Sequence, residues 1–190
     1  MPTIEISDTT NARLQAIAIP LTDTHETVIA RLMDHWDATK SNQPRVIKPG
    51  QPIKTLEDGT MEFDPANPPL LAFTTCTQII ISGDQLAKGD TYWNTMMYHM
   101  IRTVKKQKDF DADAIYSMLA IANAEIGKKE ENGYKFMPDV GLSVQGQDSN
   151  AAFRQAYQLA MLNGIKFSVF FSWQNNEKAA FPNQRGYMEF

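Results

Sequence analysis

The sequence predicts an α+β protein in two parts, a small strand-helix-helix unit followed by a Pro-rich linker and a larger mixed α+β domain. Three observations carry this. All of the net charge of −4 falls in residues 1–37, where Arg13 and Arg31 face six acids. Six of the ten prolines lie within residues 38–69. From Leu70 onward, apolar runs alternate with segments of helical periodicity, and twelve basic groups balance twelve acidic ones.

The first unit begins with Thr-Ile-Glu-Ile-Ser over Thr3 to Ser7, an alternation that puts Ile4 and Ile6 on one face of a short strand. Ser7 and Asp8 are good helix caps. The helix they start carries Leu14, Ile17 and Ala18 on one stripe and stops at Pro20. Asp23 with Glu26 has the form of a capping box for a second helix, along which Val28, Ile29, Leu32, Met33 and Trp36 recur on one face. A strand and two helices of this size expose more apolar surface than they bury alone. Residues 1–37 are therefore expected to form a ribbon-helix-helix oligomerisation module, at least a homodimer. Ile4, Ile6, Leu14, Ile17, Val28, Ile29, Leu32, Met33 and Trp36 would form its interface.

Residues 38–69 combine Pro44, Pro49, Pro52, Pro65, Pro68 and Pro69 with few bulky apolar groups, the composition of a semi-rigid linker. The larger domain, 70–190, opens with LLAFTT and TQIIIS as strands ending at Gly83 and Asp84. Helical stripes follow over 91–107 (Trp93, Met96, Met97, Met100, Ile101, Val104) and 112–126 (Ile115, Met118, Leu119, Ala122). YKFMPDVGLSVQ reads as strand or hairpin structure, with a bend near Pro138. Asp148 or Ser149 caps a helix through Phe153, Ala156, Tyr157 and Ala160 that stops at Gly164. IKFSVFFSW is a buried strand, and GYMEF an edge strand.

No apolar run is long enough for a membrane span, and MPTIEISDTT lacks the basic-then-apolar pattern of a secretory signal, so a cytoplasmic protein with no membrane partner is expected. Cys76 is single and sits in an apolar run, the setting of a small core residue rather than a reactive thiol. His25, His35 and His99 show no metal-ligand spacing to one another or to Cys76, and no metal or cofactor is expected. Phosphate-loop, dinucleotide and nucleophile-elbow patterns are absent. The surviving enzymatic reading is a metal-dependent nuclease using Asp139 and Asp148; both acids also suit a turn and a helix cap.

TIEISD and ETVIARLMDHW, with the short turn between the helices, resemble the amino-terminal oligomerisation region of the SeqA family of bacterial replication-sequestration proteins. The resemblance covers about a fifth of the chain. It implies an assembly head and a separate carboxy-terminal domain that meets DNA. The segment also looks like the wider ribbon-helix-helix class, whose paired strands enter the major groove; here Thr3, Glu5 and Ser7 would face the bases. Two copies of Glu5 on a module of charge −4 oppose the phosphate backbone, so this head is a poor DNA reader.

DNA contacts are expected from the larger domain instead. Arg102, Lys105, Lys106 and Lys108 cluster at one helix end, where they suit phosphates and equally complement the helix dipole. Gln145, Gln147, Ser149 and Asn150 form a polar turn before a helix bearing Arg154; amides there can read adenine edges, and a capped helix start explains part of the same turn. Trp173, at a strand end, is either a stacking residue or core. Together these features point to a bacterial, oligomeric, non-enzymatic protein that binds double-stranded DNA in transcription or replication regulation or senses DNA state. A protein-interaction module assembled through the same head, with a protein partner, is the alternative.

Overall fold

The computed structural model describes residues 7, 11, 15, 24–30, 33 and 50–190. The chain divides into two compact units, Met1–Val46 and Ile47–Phe190. In the first, residues 25–30 are helical. Thr24 N donates to Thr27 Oγ1 at 2.8 Å and Thr27 N donates back to Thr24 Oγ1 at 3.3 Å. The reciprocal cap anticipated at Asp23 and Glu26 is thus made one residue later, by two hydroxyls. Val28 is buried, whereas Ile29 and Met33, one turn apart, are 43% and 60% exposed. Ile4, Ile6, Leu14, Ile17, Leu32 and Trp36 lie outside the described residues, as does the strand expected over Thr3 to Ser7 apart from Ser7 itself.

The second unit is a mixed α+β domain with two sheets. Its elements are β1 (Lys54–Thr55), β2 (Met61–Phe63), β3 (Thr74–Ile81), β4 (Asp84–Gln85), α1 (Trp93–Lys108), α2 (Ala112–Met118), β5 (Ala124–Ile126), β6 (Tyr134–Met137), β7 (Leu142–Gln145), α3 (Ser149–Asn163), β8 (Phe167–Trp173) and β9 (Arg185–Glu189). The larger sheet has the order β1-β2-β9-β8-β3-β4, and the smaller β5-β7-β6. Only β2 and β9 pair in parallel among the described strands.

Four expectations are corrected here. Residues 50–69 are not a linker, because β1 and β2 are strands of the main sheet; they are two and three residues long, too short to show alternation. Their prolines stand in loops braced by side chains, as where Asp64 accepts from Ala66 N at 2.9 Å and from Asn67 Nδ2 at 2.8 Å. For the same reason β9 is an interior strand rather than an edge: β2 covers its outer side, with Glu62 opposite Tyr187. LLAFTT and TQIIIS supply one strand, not two. Residues 70–73 form a loop, and β3 runs from Thr74 with a bulge between Cys76 and Gln78. The helix expected over 112–126 stops at Met118. Buried Gln155 takes the chain out of it, its Oε1 accepting from Ile121 N at 2.9 Å and Ala122 N at 3.0 Å.

Elsewhere local chemistry and fold agree. Asp148 caps α3 by accepting from Asn150 N and Ala151 N at 2.8 and 3.0 Å, and Gly164 ends it in the left-handed conformation. Strict alternation in β8 buries Phe167, Val169, Phe171 and Trp173. Those rings meet α1 and α3: Trp93 lies edge-on to Phe171 at 5.4 Å and to Phe153 at 5.7 Å, and Phe153 contacts Phe167 at 6.1 Å. Each such side chain contributes roughly 1.5–3 kcal/mol by leaving water. Trp173 is 3% exposed and donates its indole N–H to the Leu70 carbonyl at 3.1 Å, so it belongs to the core. Cys76 is also core, its thiol pushed well above the ordinary range by burial. At Gly186 a Cβ would stand 2.4 Å from the Phe171 ring, so the sheet admits that ring only beside a glycine. Among the described residues, no helix is long and apolar enough to cross a membrane.

Candidate nucleic-acid interface

One side of α1 faces the core through Trp93, Met96, Met97, Met100, Ile101 and Val104. Along another, Asn94, Tyr98, Arg102 and Lys106 recur every four residues, a row about 18 Å long in which Tyr98 is itself buried. Each of the first three is engaged by the smaller sheet or the turn after it. Asn94 Nδ2 donates to the Gln147 carbonyl and Asn94 Oδ1 accepts from Gln147 N, both at 2.8 Å. Lys135 of β6 holds its ammonium 5.2 Å from the centre of the Tyr98 ring. Arg102 Nε donates to Asp139 Oδ2 at 2.7 Å, their side chains being 33% and 52% exposed. Lys106 is exposed.

The polar turn docks at Asn94, at the start of α1, and the basic cluster lies at the far end of the same helix, so the two share one helix without touching. Within the cluster, Lys105 donates to the Phe110 carbonyl at 3.3 Å, and Lys106 and Lys108 remain exposed. Asp109, in the left-handed conformation, closes the helix by donating its N–H to the Lys105 carbonyl at 2.9 Å. The cations thus sit at the negative end of the helix dipole as well as on the surface.

Within the turn, most amides are committed to the fold. Gln145 Nε2 donates to the Asn132 carbonyl and its Oε1 accepts from Asn123 Nδ2, both at 2.8 Å, joining β7 to the loops beside it. Gln147 Nε2 donates to the Gln145 carbonyl at 3.0 Å. Ser149 is the first residue of α3, and Asn150 is turned away from the α1 row, its Oδ1 accepting from Leu71 N at 2.9 Å. Arg154 stands exposed on α3. Of the two acids considered for metal chemistry, Asp139 is paired with Arg102 and Asp148 caps α3.

The sequence reading missed Asn94, Tyr98, His99 and Lys135. Counting back from Arg102 in fours would have found Asn94 and Tyr98; Lys135 comes from another strand and leaves no local trace. His99 lies beside the row, its pKa lowered from 6.5 first by burial, then by Arg102, against the opposing pull of Asp90, with Lys135 adding to the lowering. The arrangement offers the cations Arg102, Lys106 and Lys135 to an extended anion, with Asp139 as internal competitor for Arg102. No protein-family model matches the chain, and no curated protein or solved structure matches it either.

Proposed function

We propose that this protein is an oligomeric DNA-binding protein, regulatory or DNA-state-sensing, whose larger domain contacts the duplex backbone along α1. The observation that carries the reading is the row itself: Arg102 and Lys106 follow one another along α1, and Lys135 of β6 joins them over Tyr98 of the same row. Phosphate contacts to these cations would supply the affinity. The amino-terminal unit resembles a ribbon-helix-helix head, and we take it to join copies through Ile29 and Met33, exposed one turn apart. Linking two weak sites raises effective concentration, which offsets the unfavourable overall charge.

Fluorescence anisotropy with a labelled duplex across a salt series tests this. Wild type is expected to lose affinity linearly in log salt, and Lys106→Ala to reduce that slope by about one. Asp139→Ala frees Arg102 and should tighten binding. A salt-independent signal, or none, would sink the reading. The alternative, a protein-docking module, is favoured by one observation: Leu70 and Tyr92 are 54% and 62% exposed and Phe73 is 38% exposed, in segments tied by the Trp93 indole donating to Thr74 Oγ1 at 2.8 Å.

A further inference from the structure

The face of the main sheet turned away from α1 and α3 carries side chains the duplex contact does not use. Across its middle, pairing registers and a side-chain bond set six residues in a row: Lys54, Glu62, Tyr187, Phe170, Gln78 and Gln85. At its centre the rings of Phe170 and Tyr187 lie 4.4 Å apart with planes inclined by 36°. Neither is sealed from solvent. A cleft opens on each side of this pair along the strand direction. One, of about 420 Å³, is lined by Ser168, Tyr187, Glu189, Ile80 and Lys166. The other, of about 220 Å³, is lined by Phe170, Thr77, Gln78, Thr60, Asp58 and Arg185.

Each cleft combines an aromatic ring, hydroxyl, amide or carboxylate groups and one cation, Lys166 in the first and in the second Arg185, which also pairs with the Asp58 carboxylate at 3.4 Å. A flat ring with a hydrogen-bonding edge and a charged phosphate tether matches all three. An apolar peptide would leave the Glu189 carboxylate facing hydrocarbon, and a duplex hides the ring faces that Phe170 and Tyr187 would stack on. Tyr187 is held in place, its hydroxyl donating to the Glu189 carboxylate, which leaves that carboxylate a second oxygen for a base amino group.

We propose that this open sheet face is a platform for unpaired bases of a DNA strand, which stack against Phe170 and Tyr187 with their edges in the two clefts and their phosphates toward Lys166 and Arg185. The choice of DNA rests on the reading above; the stacking surface does not. Such a face distinguishes opened from closed DNA.

The test uses the full chain with fluorescein-labelled (dA)12 and, separately, a labelled duplex of mixed sequence. Phe170→Leu and Tyr187→Leu keep apolar cover on the strands but remove the ring faces; circular dichroism and thermal melting check that they fold, and Gln78→Ala serves as a milder third variant. Each leucine variant should lose (dA)12 affinity by about tenfold or more, with duplex affinity held within about twofold. Lys106→Ala should do the reverse. Absence of (dA)12 binding by wild type, or binding unchanged in both leucine variants, overturns the proposal, as does a fall in molar mass in those variants with (dA)12 binding intact, which would assign the face to pairing of copies. Loss of the duplex arm alone would sink the earlier reading and leave this one standing.

Discussion

Gln155 shows how much one side chain does in this domain. It is fully buried, and its amide serves Ile121 N, Ala122 N, the Met118 carbonyl at 3.3 Å and Gln158 Oε1 at 3.5 Å. Gln155→Leu keeps the volume but strands two backbone N–H groups; a loss of about 1–3 kcal/mol in a denaturant melt is expected. His99 makes a pH-dependent contribution. Its pKa is lowered in the fold, so the unfolded chain takes up the proton first as pH falls. The stability it protects is complete above about 6.5 and drains as pH drops below that value toward the folded pKa. The transition midpoint should therefore fall between neutral and mildly acid pH, and His99→Gln should flatten that part of the profile; an unchanged profile would remove His99 as its cause. In sequence, Cys76 already reads as core because it sits in an apolar run, whereas Trp173, at a strand end, reads as either a stacking residue or core. Gln155 does not read as core, since a glutamine in an amphipathic helix has nothing local to mark it as buried.

At the scale of elements, α1 has two jobs along its length: a core stripe and a row that carries Lys135, the amide turn and Arg102. Asp139 ties that row to the smaller sheet, and Asp139→Ala, expected to tighten duplex binding, should also loosen α1 from the β6–β7 hairpin by a few tenths of a kcal/mol to about 1 kcal/mol, since the pair is partly exposed. Gly186 supports β9 in a different way. Gly186→Ala puts a methyl into the Phe171 ring at 2.4 Å, and overpacking of this kind costs about 1–3 kcal/mol, readable as a lowered thermal midpoint. The periodicities of α1 and α3 and the apolar run of β8 are plain in the sequence, as is the Gly164 stop, while the cap stands open there between Asp148 and Ser149. Residues 119–126 are not plain: Leu-Ala-Ile-Ala is compatible with helix or strand, and the decision was made by Gln155 and by β7, against which Ala124–Ile126 pairs.

For the whole molecule, the proposed assembly depends on the amino-terminal unit. If Ile29 and Met33 lie in the contact between copies, Ile29→Asp with Met33→Asp should give a monomer by light scattering while the larger domain keeps its melting transition. Duplex affinity should then fall through lost linkage, with the slope per domain conserved. A mutant that stays oligomeric would place the contact elsewhere. The division between the units falls at Val46 and Ile47, and of the thirty-two residues whose prolines suggest a linker, Lys54–Thr55 and Met61–Phe63 are strands of the main sheet.

The sequence by itself determined the α+β class, the helix α1 with its core stripe, the bend near Pro138, and the capped helix and buried strand that follow, because each is written in a local period or a terminal residue. Tertiary structure alone decided where strands of two and three residues go, that β9 lies inside the sheet, and that Phe170 and Tyr187 face each other on its open side. Those outcomes depend on pairing between residues up to 127 positions apart, as where Arg185 Nη2 donates to the Asp58 carbonyl. Pairing energy of that kind belongs to neither strand alone, so no pattern within either could announce it.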